Sequence, residues 1–114
     1  MKIEKFTIYL ADLNPRMGTE PGKVRPVVVI QTDLLNHVHP STIICPLTSQ
    51  KTVPQADILR VAVPKKGSGL DADSEILVDQ IRSIDNRRFV KVIGKLTTPQ
   101  RNKLLENLQI LIME

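Results

Sequence analysis

The chain has 114 residues, with sixteen lysines and arginines against twelve aspartates and glutamates, a net charge of +4 and aromatics at only 3%. That length fits a single domain over residues 1–114. The basic balance favours a polyanionic partner, and Phe6, Tyr9 and Phe89 are too few aromatics for a platform that stacks successive bases. Any RNA would be held by polar and basic groups. Cys45 is the one cysteine, so no internal disulfide can form, and beside Ile43 and Ile44 it reads as a core thiol suited to a reducing compartment. No apolar run approaches the ~20 residues that span a bilayer and no signal-like apolar stretch opens the chain, so the expected location is cytoplasmic.

From Phe6 to Leu13, Phe6, Ile8 and Leu10 alternate with Thr7, Tyr9 and Ala11, the pattern of a strand with one buried face. Gly18-Thr19-Glu20-Pro21-Gly22-Lys23-Val24-Arg25-Pro26 follows as a polar, glycine-flanked loop running into Val27-Val28-Val29-Ile30. Four apolar residues in a row, all β-branched, predict a central strand covered on both faces. Residues 32–40 predict a long irregular connection, 42–47 a second core strand, 58–63 a strand stopped by Pro64, 65–69 a turn, and 75–78 and 89–93 two short strands. Leu104, Leu105, Leu108, Leu111 and Ile112 recur at helical spacing after Thr98-Pro99, a capping residue and a proline at the first helical position. About six strands and a final helix lying along them predict an α+β fold, a small, partly closed antiparallel β-barrel.

Three clusters could carry chemistry. Arg25, at the mouth of an apolar strand, offers a planar fork of donors that fits a phosphate, although the same loop suits an ordinary hairpin with a solvated Lys23 and Arg25. Thr48 closes the 42–47 strand and puts a hydroxyl at a sheet end, where a threonine also caps turns. Asp79-Gln80-Ile81-Arg82-Ser83-Ile84-Asp85 is a polar exit from a strand, or a helical turn held by an exposed Asp85–Arg82 ion pair. His37 and His39 could serve as base and acid, but with Cys45 they make a poor zinc set, so neither metal nor other cofactor is expected. P-loop, G-x-S-x-G and C-x-x-C motifs are absent.

Taken together and in order, residues 8–15, the segment 18–31 with Arg25-Pro26 before its apolar run, Pro46-Leu47-Thr48, residues 79–85 and Gly94-x-Leu96 resemble the MazF/PemK family of toxin endoribonucleases along nearly the whole chain. The resemblance implies the SH3-like barrel that the family shares with gyrase-poisoning toxins. It also implies a homodimer, with Arg25 and Thr48 at the catalytic positions and RNA contacts from Gly18, Thr19, Glu20, Lys23, Asp79, Gln80 and Arg82. The implied reaction is metal-independent, sequence-selective cleavage of single-stranded mRNA, in which a 2′-hydroxyl attacks the adjacent phosphate. A cognate antitoxin with a disordered acidic tail is the implied inhibitor. A guanidinium is a reluctant base, so Arg25, Glu20 and a neighbouring group stay open as the proton acceptor.

Two positions depart from the family pattern. Phe6-Thr7 stand where Gly-Asp is common, and Leu77 stands where some members carry an arginine, which leaves Arg25 with more of the work. Two rival functions fit the same barrel, a non-enzymatic gyrase poison and a plain RNA-binding module. RNA breakdown by the purified protein separates both from a nuclease.

Overall fold

A computed structural model of the chain describes residues 1–15, 18–19, 23–50 and 58–114. Among these residues seven strands, β1 (Thr7–Asp12), β2 (Val24–Val29), β3 (Ser41–Thr48), β4 (Arg60–Val63), β5 (Ser74–Leu77), β6 (Arg82–Asp85) and β7 (Phe89–Lys95), precede one α-helix, α1 (Thr98–Met113). They form one antiparallel sheet in the order β4-β5-β3-β2-β1-β7, with β6 on β3. Among the described residues the edge strands of that path do not pair with each other, so the sheet is not closed. The expected fold is thus found as a small antiparallel sheet with a C-terminal helix.

Both faces of the central strands are covered. Val28, Ile8, Cys45 and Leu47 face one cluster with Leu104 of α1, whereas Val27, Val29, Tyr9, Ala11 and Ile44 face a second cluster with Ile3 and Leu13. β1 therefore departs from the one-sided pattern: Tyr9 and Ala11 are as buried as Ile8. The N-terminal residues fold back over Tyr9, whose hydroxyl donates to Lys2 O and accepts from Glu4 N, while Phe89 meets the ring edge-on at 5.1 Å. A phenol can be buried once its hydroxyl is satisfied.

Phe6 lies in the left-handed region at φ 65°, a conformation suited to glycine that costs another residue about 1–3 kcal/mol. Its backbone is clamped between Val29 and Leu96, and its ring packs on the first cluster beneath the Lys5 and Arg101 cations. Ring burial holds the strained backbone where a glycine would not need to be held.

β6 is an addition to the expected elements. Arg82–Asp85 pairs with the first half of β3 and is not a helical turn, because Thr42 and Ile44 need ladder partners on that side. Asp85 bonds Arg87 at 3.0 Å, not Arg82, and caps the 3₁₀ turn Asn86–Arg88. The helix begins one residue earlier than expected. Thr97 is the cap, accepting from Gln100 N while the Gln100 side chain accepts from Thr97 N, so the capping box forms and Pro99 falls in the first turn. Only Leu104 and Leu108 of the leucine set reach the core, beside buried Asn107, while Leu105, Leu111 and Ile112 are exposed.

The turn 65–69 is pinned to β7. A Cβ on Gly94 would meet Ser68 O at 2.0 Å and one on Gly69 would meet Ile93 O at 2.2 Å, so two glycines permit the contact. This holds Leu70 to Ala72 beside the sheet, where they form a wall of the candidate site.

Candidate active site

Two strand ends meet at a cleft of about 830 Å³. β2 supplies Arg25, opposite Ala11 of β1, and β3 supplies Thr48, opposite Glu75 of β5. The Arg25 guanidinium donates to Leu47 O at 3.4 Å, which ties it to the strand that ends in Thr48. The Thr48 hydroxyl accepts from Gln50 N at 3.2 Å, so the turn-capping role read from local sequence is present alongside any role in the cleft.

Lys23, at the start of this wall, has φ 66°; its amide donates to the Asn14 side chain and its carbonyl accepts from Leu13 N. Those two bonds fix the chain direction entering β2 and so the placement of Arg25. Thr19, Lys23, Asp79 and Gln80 all line the cleft with Arg25 and Thr48. Gly18 does not, although it brings Thr19 there from a turn at φ 57°. Arg82 does not either: it begins β6 opposite Ile44, half-buried, and β6 runs away from the cleft. Glu20 lies outside the described residues.

Sequence reading missed Arg60, Lys91 and Asp71, which also line the cleft. A charge inside the apolar strand 58–63 was the visible signal for Arg60, but its neighbours depend on strand register. Cys45 is fully buried, with its thiol pushed up to about 12 by burial and then by Asp79. It is a core group, as its neighbours suggested.

A second hollow of about 580 Å³ includes His37, His39, Asn86 and Arg87. His39 Nδ1 lies 3.0 Å from Ser41 O, and Asn86 accepts from Thr42 Oγ1 at 2.6 Å while donating to His39 O. These side chains tie the 33–40 turns to β3 and β6. Among the described residues no group of three or more His, Cys, Asp and Glu could hold a metal.

The family model described as the PemK-like, MazF-like toxin of type II toxin-antitoxin systems matches residues 4–112. The chain belongs to that family. It is 39% identical to Endoribonuclease EndoA of Bacillus subtilis over 111 residues, covering 96% of this chain and 94% of that protein. Its fold matches the crystal structure of MazF from Deinococcus radiodurans with a TM-score of 0.84 at 22% identity, covering 100% of this chain and 99% of that one. It also matches a MazE-MazF crystal structure from the same organism with a TM-score of 0.78 at 22% identity, covering 99% and 97%. These matches span nearly the whole chain.

Proposed function

We propose that this PemK/MazF-family chain is a sequence-selective endoribonuclease toxin that cuts single-stranded mRNA and so halts translation. One observation carries the reading: Arg25 and Thr48, from different strands, share a cleft with Lys23, Arg60 and Lys91 in a chain related to EndoA over nearly its full length. The reaction needs a 2′-oxygen to attack the adjacent phosphorus while the bond to the 5′-oxygen breaks. The 2′-hydroxyl loses its proton and the departing 5′-oxygen gains one, leaving a 2′,3′-cyclic phosphate and a 5′-hydroxyl.

Negative charge builds on the non-bridging oxygens during that exchange. Arg25 stabilises it with preorganised donors, a kind of interaction that contributes about 2.7–4 kcal/mol per donor removed in other active sites. Thr48 orients the same phosphate through its hydroxyl. Thr19, Lys23, Asp79 and Gln80 hold the flanking nucleotides, the carboxylate and amide reading base edges and the lysine meeting phosphate. Neither a metal nor another cofactor enters the reaction.

The chain acts as one domain, its sheet rolled toward the SH3-like barrel, in the cytoplasm. Exposed Leu105, Leu111 and Ile112 on α1 suit a homodimer contact, since an apolar patch is costly in water. A cognate antitoxin controls it, as MazE accompanies MazF in Deinococcus radiodurans, and an acidic disordered tail fits a basic cleft by placing carboxylates where phosphates would sit.

Incubation of the purified protein with a mixed RNA pool in excess EDTA, followed by sequencing of the 5′-hydroxyl ends, tests this reading. Cleavage at a recurrent sequence is expected. Intact RNA, or cleavage only after added metal, would overturn it.

A further inference from the structure

β-Strand register places Arg60 beside the proposed reaction centre from a segment far along the chain. Thr48 of β3 stands opposite Glu75 of β5, Glu75 stands opposite Ala62 of β4, and Arg60 stands opposite Leu77. Directly opposed and next-but-one residues share a face of a sheet. Thr48, Glu75, Leu77, Ala62 and Arg60 therefore share one face, from which Thr48, Leu77 and Arg60 line the cleft, whereas Leu47, Ile76, Val61 and Val63 fill the core on the other. Arg60 Nη1 lies 3.3 Å from Glu75 Oε1, and both side chains remain about a quarter exposed, at 23% and 24%.

That pair is a weak source of stability, because water screens it. Its effect on placement is larger. A guanidinium has five donors in a rigid fork, and one bond to Glu75 aims the rest. β3 and β4 are two strand spacings apart, about 10 Å, so Arg60 stands beyond the phosphate that Arg25 and Thr48 flank.

We propose that Arg60, aimed by Glu75, is an RNA-binding residue that grips the phosphate neighbouring the scissile one. The inference rests on the ribonuclease reading for the polarity of the cleft, but binding alone can judge it. A grip on a non-reacting phosphate holds substrate and transition state equally, so it sets KM and leaves kcat unchanged.

The test compares wild type, Arg60→Ala, Arg60→Lys, Arg60→Gln and Lys103→Ala. Each is measured for binding to a mixed-sequence single-stranded RNA of 2′-O-methyl riboses, which cannot react, and for cleavage of the unmodified RNA. Arg60→Ala should bind about ten-fold more weakly and raise KM to match with kcat unchanged. The slope of log affinity against log salt should fall by about 0.7, the value for one single-strand phosphate contact. Arg60→Lys should restore the slope and most of the affinity, and the exposed helical control Lys103→Ala should match wild type.

Arg60→Gln keeps a partner for Glu75 without the charge, and it replaces Arg60→Ala as the readout if the latter melts early. Unchanged binding and slope in the neutral variants would make Arg60 a structural ion pair and overturn the proposal. So would a loss confined to kcat, which would put Arg60 on the reacting phosphate. If wild type leaves unmodified RNA intact, the nuclease reading fails while the binding comparison still decides Arg60.

Discussion

At its Ser41 end, β3 is surrounded by polar side chains that bond one another; at its Thr48 end, it opens on a cleft lined by Arg25, Lys23, Arg60 and Lys91. Near the first end, Gln31 and Asn36 bond each other and nearby backbone, Thr42 donates to Asn86, and His39 meets Ser41. Near the second, Arg25 of β2, Arg60 of β4 and Lys91 of β7 line one cleft of about 830 Å³. Polar groups at the first end stabilise the fold through their bonds to one another, whereas at the second four cations outnumber the two lining carboxylates, Asp71 and Asp79, and that excess of positive charge gains from an anionic partner. Titratable or hydrogen-bonding residues alone do not separate those roles. The charge balance around them does.

The sharpest test of this contrast is Arg25. Arg25→Ala should lower single-turnover cleavage by about 10³-fold, the upper range for loss of one transition-state donor, with folding little changed. Arg25→Lys should lose nearly as much, because an ammonium keeps the charge without the fork. A lysine variant within a few-fold of wild type would reduce the role of Arg25 to simple charge.

Thr48→Ala should lower turnover by about 10²-fold, corresponding to about 2.7 kcal/mol. Thr48→Ser should recover most of it, since serine retains both the hydroxyl and the acceptor for Gln50 N. If both variants turn over normally, the turn cap is the whole role of Thr48.

At the other end the expected effect is on stability. Thr42→Val keeps the shape of a fully buried side chain and removes the donor to Asn86, which should cost about 1–2 kcal/mol in urea denaturation. Cleavage per folded molecule should stay at the wild-type level. A cleavage defect without a stability loss would break the division between the two ends.

Asp85 gives a smaller effect with a defined sign. Its hydrogen bonds from the Arg87 side chain and amide hold its carboxyl at about 2, below the ordinary 3.8. A lowered pKa favours folding above the unfolded value, and that contribution is lost as pH falls from about 4 toward 2. Asp85→Asn should flatten the fall of melting temperature in that window, whereas an unaltered acid limb would show that the cap contributes nothing measurable.

His39→Ala should have the smallest effect on cleavage, with rates unchanged, because His39 lies at the far end of β3 and its ring faces Ser41. A steep loss of cleavage across the pH profile of that variant would restore the paired imidazoles as acid and base.

Much of this arrangement is legible in the linear sequence. The apolar run after Arg25-Pro26 marks a strand buried on both faces, and a charged residue at its mouth is where a fixed cation can reach a site. Thr48 stands at the end of another core strand, and the ordered set of motifs carries the family resemblance. Elsewhere periodicity misleads for physical reasons. Tyr9 falls on the polar side of an alternating pattern yet is buried, because Lys2 O and Glu4 N satisfy its hydroxyl. Leu105, Leu111 and Ile112 fit a helical core pattern yet remain exposed, while Asn107 turns inward toward Arg60 O.

The sequence by itself determined six of the seven described strands, where the helix begins to within one residue, and that Arg25 and Thr48 stand at strand ends. Local spacing and β-branching suffice for that, since they act within a few residues. Only the tertiary structure decided that Arg60 joins them, that Arg82 goes elsewhere, and that β6 exists at all. Those outcomes depend on which strands pair and in what register, and a shift of one residue would turn Arg60 from the cleft to the core.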